Sequence, residues 1–134
     1  EIASGLWSEM GQKIRKLSGA DKAAIITDTT VDKLYSKQLE SQLQAAGFAP
    51  KRIVFPAGEK HKTMGTLAAV YAKMADFGLT RKDLVVTLGG GVVGDLGGFA
   101  AATFLRGIDF IQNYTEEEKR TQTFSITITV QEVQ

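Results

Sequence analysis

The chain has no cysteine, a single histidine at His61, and almost no net charge, with 16 basic residues against 15 acidic over 134. Without cysteine there are no disulfides and no thiolate metal sites, a usage that fits a cytoplasmic protein. One histidine cannot readily assemble a catalytic zinc centre, which usually takes three protein ligands, several of them His or Cys. Balanced charge offers no broad field to draw nucleic acid. Residues 1–20 also lack a continuous apolar core, so no secretory signal is read there. A chain of this length is one domain, large enough to bury roughly two-thirds of its unfolded surface.

What the sequence does have is a concentration of glycine in one place. Residues 84–112 read LVVTLGGGVVGDLGGFAAATFLRGIDFIQ. An apolar run at 84–88 ends in Gly89, Gly90 and Gly91; Gly94, Gly97 and Gly98 follow, with one carboxylate, Asp95, inside the cluster. A buried strand that breaks into glycines and then a helix brings main-chain N–H groups against a phosphate. Glycine allows the tight turn and close approach, and the helix N-terminus supplies partial positive charge. The spacing Gly89-x-Gly91-x-x-Gly94 also fits a dinucleotide fingerprint, although that fingerprint usually lies in the first strand–helix unit and this one lies further along. The competing reading is a membrane helix packed through Gly90, Gly94 and Gly98. It would put Asp95 mid-bilayer and three consecutive glycines in a helix, both costly. No membrane is expected as a partner.

Apolar periodicity places the remaining elements. Leu6, Met10, Ile14 and Leu17 recur at helical spacing, and residues 22–27 form a continuous apolar strand ending at Asp28. Val31, Leu34, Tyr35, Leu39 and Leu43 mark a second helix, stopped by Gly47. Residues 52–55 are a short strand closed by Pro56. Thr63 caps a helix carrying Met64, Leu67, Val70, Tyr71, Met74 and Phe77, and Gly78 ends it. A strand at 84–88, a helix at 92–105 and a strand at 108–112 follow. Strands apolar throughout, alternating with helices, predict an α/β fold: a Rossmann-like, mostly parallel sheet with helices on both faces. Ligands bind such sheets beyond the carboxyl ends of the strands, where Asp28, Gly58, Glu59 and residues 89–95 all fall.

The full run GGGVVGDLGGFAAATFLRG at 89–107 closely resembles the signature of 3-dehydroquinate synthase, the shikimate-pathway lyase that cyclises a phosphorylated seven-carbon sugar acid with bound NAD. Upstream, Thr27-Asp28, the block FPAGEKHK at 55–62 and GLTRKDL at 78–84 sit where that family has them. The resemblance covers residues 1–112. It implies that Gly89, Gly90, Gly91 and Gly94 cradle the NAD pyrophosphate; Val92 and Val93 read as packing residues that also offer their N–H groups. It also implies that Asp28, Glu59 and Lys62 hold the adenosine end, and that Asp95 reaches the nicotinamide ribose or the substrate. Arg106 would reach across a dimer interface to the substrate phosphate.

Each of these residues has a plainer reading. The glycines could serve only a tight strand–helix crossover, and Asp28 and Glu59 could cap turns. Asp95 in the first turn of a helix could simply favour the local dipole, worth about 0.3–1 kcal/mol, and Arg106 could sit against a helix C-terminus. His61 reads as solvent-facing. The family's zinc, or another divalent metal, is held by a Glu and two His in a second domain that this sequence does not contain. The resemblance therefore implies a small-molecule nucleotide partner and no turnover by this chain. Self-association is a further expectation, because the missing domain leaves apolar surface. A related sugar-phosphate cyclase, a glycerol dehydrogenase-like enzyme and an engineered or rearranged structural domain without activity are the alternatives. The long glycine motif favours the cyclases over the dehydrogenases.

Residues 113–122 leave the family pattern and read as a charged connector, flexible or briefly helical. Residues 123–130 then alternate, with Phe124, Ile126, Ile128 and Val130 against Ser125, Thr127 and Thr129, which is the pattern of a half-buried antiparallel strand. The family opens with such a strand, and residues 1–7 resemble the end of its second strand and the start of its first helix. Residues 123–134 therefore read either as that opening strand displaced by circular permutation or as an unrelated appended segment. The permuted reading predicts pairing with the sheet near Glu1 and Ile2.

Overall fold

Strands and helices alternate as the apolar pattern requires. The computed structural model describes residues 2–58, 63–104, 107–118 and 121–129. The elements run α1 (Ile2–Leu17), β1 (Lys22–Asp28), α2 (Thr29–Val31), a π-helical turn (Asp32–Ser36), α3 (Lys37–Ala45) and β2 (Ala49–Phe55). Next come α4 (Met64–Phe77), β3 (Leu84–Gly89), α5 (Gly91–Thr103), β4 (Asp109–Glu118) and β5 (Thr121–Thr129). They build one sheet in the order β2-β1-β3-β4-β5. Its body is four parallel strands, and β5 returns antiparallel along β4.

The two central strands show why helices cover both faces. Every residue of β3, and all but the two ends of β1, is buried. Successive side chains point to opposite faces of a sheet. Ala24, Ile26 and Val85 accordingly join Val70 and Met74 of α4 and Leu96 and Ala100 of α5. Ile25, Val86 and Leu88 join Met10 and Ile14 of α1 and Leu39 and Leu43 of α3 on the other side. This is the α/β architecture the sequence predicts.

Helix ends follow local chemistry. Thr63 caps α4 by accepting the Thr66 amide at 3.1 Å. Gly78 (φ 78°) closes α4 with paired bonds from its own amide to Ala75 and from Leu79 to Met74. Gly47 (φ 97°) does the same for α3, with Phe48 donating back to Leu43. A left-handed residue is needed at both places, which is why glycine stands there.

Several boundaries differ from expectation. The second helix is interrupted at Asp32–Ser36, where the Ser36 hydroxyl donates to the Asp32 carbonyl at 3.0 Å and also to the Asp32 carboxylate. Such back-bonding competes with the regular ladder. β2 starts at Ala49, three residues early, and takes in Pro50. Residues 2–7, read as a strand end leading into a helix, are helical from Ile2. The charged connector gives way to strand: β4 continues through Glu118 and β5 begins at Thr121. The segment read as a displaced strand thus sits, through Thr129, in register with β4, Phe110 opposite Thr129 and Glu118 opposite Thr121, while residues 130–134 lie outside the described residues. The family's opening strand would have paired near residues 1–2, where Ile2 is helical and Glu1 lies outside the described residues.

Candidate functional site

From β1 the chain moves outward to β2, then returns to the other side of β1 for β3. The crevice at the carboxyl ends of β1 and β3 is therefore the switch point of the sheet, where α/β folds bind ligands. Three strands finish there at one level. Asp28 is the register partner of Phe55, and Thr27 that of Leu88, so Asp28, Phe55 and Gly89 close neighbouring strands.

The β3–α5 turn is built by glycine. Gly89 has φ 153°, and a Cβ there would lie 2.7 Å from a methyl of Val93. Gly90 is the extended cap of α5 and brings no side chain to it. The first bond within the helix runs from the Gly94 amide to the Gly90 carbonyl at 2.9 Å. The amides of Gly91, Val92 and Val93 are thus the first-turn donors that a helix leaves unused. Gly94, expected among the donors, spends its N–H on the helix at a buried position. The Val93 side chain is packed in the core beside Leu96. Further along, a Cβ on Gly97 would approach Thr87 Cγ2 to 2.3 Å, so glycine lets α5 lie directly on β3.

The acidic residues divide. Asp28 accepts the Val31 amide through Oδ1 at 2.9 Å and so caps the short helix after β1, as its plainer reading has it. Next to it, the Thr29 hydroxyl accepts the Ala57 amide at 3.1 Å and ties the end of β1 to the loop after β2. That loop passes through Gly58 at φ 117°. Asp95 is exposed and is the fifth residue of α5, not in its first turn. The dipole contribution read for it falls away there, since that effect is confined to the end turn. Glu59, His61, Lys62 and Arg106 lie outside the described residues. Thr27, missed as a site residue by sequence reasoning, is fully buried and donates its hydroxyl to the Leu88 carbonyl at 2.7 Å. Its signal was a lone hydroxyl at the end of an apolar strand.

Among the described residues no three His, Cys, Asp or Glu side chains gather to hold a metal ion. No described helix is long and apolar enough to cross a membrane.

Residues 52–117 match the 3-dehydroquinate synthase N-terminal family. The 3-dehydroquinate synthase of Clostridium acetobutylicum is 50% identical over 111 residues, which is 83% of this chain and 31% of that enzyme. This chain is a homologue of the 3-dehydroquinate synthases. It spans about a third of the length of such relatives, on the N-terminal side. Solved structures agree on the fold. A 2-epi-5-epi-valiolone synthase from Streptomyces hygroscopicus, with NAD+ and Zn2+ bound, is 26% identical with a TM-score of 0.63, over 78% of this chain and 35% of that one. A 2-deoxy-scyllo-inosose synthase, at 18% identity, superposes over 93% of this chain and 39% of its own, with a TM-score of 0.72. The similarity to 3-dehydroquinate synthases thus embraces the switch point, with Asp28, the loop after β2 and the glycine turn all inside the matched length.

Proposed function

We propose that this chain is the nucleotide-binding part of a 3-dehydroquinate synthase and receives the NAD pyrophosphate on the first-turn amides of α5. The observation that carries this reading is the uncapped helix start at the switch point. The first-turn N–H groups and the positive end of the helix dipole lie at the switch point, and Gly90 brings no side chain to them. Bound there, NAD supplies the hydride acceptor of the family's chemistry. Gly89, Gly90 and Gly91 shape the turn. Asp28, with Glu59 and Lys62 from the loop after β2, holds the adenosine end; Asp95 faces the nicotinamide ribose and Arg106 the substrate phosphate. Asp28 can do this while capping α2, because the cap uses Oδ1.

The family's zinc does not fit this chain, which holds one histidine and no ligand cluster among its described residues. We place the protein in the cytoplasm on its lack of cysteine, and assign it a tendency to self-associate.

A ligand that binds only the folded state raises its stability, by about 2.7 kcal/mol at a hundredfold excess over Kd. The melting temperature should therefore climb with NAD concentration, while the same sample releases no phosphate from the seven-carbon sugar acid substrate. A melting temperature indifferent to millimolar NAD would sink the proposal in favour of an inert domain, and phosphate release would refute the predicted lack of turnover.

A further inference from the structure

The ladder between β1 and β3 ends at the pair Thr27 and Leu88. Immediately afterwards β1 enters α2 and β3 enters the glycine turn. The Leu88 carbonyl is the last acceptor before that turn, and it is met by a side chain: the Thr27 hydroxyl donates to it at 2.7 Å, in a position with no solvent access. The bond has a geometric consequence. Leu88 C=O and Gly89 N–H belong to one planar peptide unit. Holding the carbonyl fixes that plane, and the unusual φ of 153° at Gly89 is a rotation measured from it. The direction in which Gly90 and the start of α5 leave the sheet is set at this joint. Glycine on its own would leave the joint loose, because it has the widest choice of backbone conformations.

We propose that Thr27 is a positioning residue for the phosphate turn: its hydroxyl, without touching the ligand, clamps the Leu88–Gly89 peptide and so aims the α5 amides. This role presupposes the nucleotide site proposed above. Preorganised donors bind better than donors that must be ordered on binding. Removing the clamp should therefore weaken nucleotide binding as well as loosen the fold.

The test compares Thr27→Val, Thr27→Ala and Thr27→Ser by calorimetric titration of the full chain with NAD, alongside thermal melts. Val and Ala lack the hydroxyl but differ in volume, whereas Ser keeps it. Wild type and T27S should bind alike, with T27V or T27A about tenfold weaker, the upper end of what one neutral hydrogen bond is worth. Should one hydroxyl-free variant fail to fold, the other carries the comparison. If T27V or T27A binds NAD as tightly as wild type, the clamp is wrong and the nucleotide site stands. If T27S loses as much affinity as T27V and T27A, the effect belongs to packing and the clamp is again wrong. If the wild type itself does not bind, the site fails and the clamp with it.

Discussion

Two buried threonines on the central strands show how differently the same side chain can be used. Thr27 and Thr87 both have no exposed surface. The Thr27 hydroxyl is bonded to Leu88, whereas the Thr87 hydroxyl has no hydrogen-bond partner among the described residues. Thr87 lies on the opposite face, with its methyl group where a Cβ on Gly97 would go. An unsatisfied buried hydroxyl costs about 1–3 kcal/mol, so Thr87→Val should leave stability unchanged or raise it by about 1 kcal/mol. Thr27→Val removes the hydroxyl's bond to the Leu88 carbonyl and should lower stability by about 1 kcal/mol. Urea denaturation of the two variants measures both, and equal losses would contradict this reading of the two hydroxyls.

Between elements, the end of the sheet away from the site is held by a different device. Asp83 is 6% exposed, and its carboxylate accepts the Thr80 amide and hydroxyl and the Lys22 amide at 2.9–3.1 Å. One acid thus fastens the loop after α4 to the first residue of β1. Asp83→Ala should cost about 2 kcal/mol, since three donors lose a charged acceptor. Nucleotide affinity should survive, because Asp83 sits at the amino ends of β1 and β3. An affinity loss as large as that of the Thr27 variants would show that the two ends are coupled.

Element type was legible where one rule dominated. The apolar runs of β1 and β3 could only be buried strands, and Gly47 and Gly78 marked helix ends because left-handed backbone selects glycine. The misread places have two competing rules. The strand read at 52–55 left out Pro50, yet Pro50 pairs with Ala23 of β1 as part of β2, an edge strand, where a missing N–H is tolerated. The acids of residues 116–118 looked like a connector, but a hairpin satisfies its backbone bonds strand to strand whatever the side chains are. The turn at Asp32–Ser36 depends on one hydroxyl choosing a local carbonyl, which periodicity does not record.

For the molecule as a whole, the chain order told which candidate residues the sheet brings together. Asp28, the loop after β2 and the glycines all follow strands, and a parallel sheet gathers such positions at one edge. The division of labour inside the glycine cluster was not legible from spacing alone. Gly91 starts the helix, Gly94 closes its first bond and Gly97 packs on β3. The central claim is that the amides of Gly91, Val92 and Val93 receive the pyrophosphate. Titrating 15N-labelled protein with NAD and following amide chemical shifts tests it most directly. The largest shifts should fall on Gly91, Val92 and Val93, with Gly94 and the Asp83 end of the sheet moving far less. Shifts concentrated elsewhere, or none at saturating NAD, would contradict it.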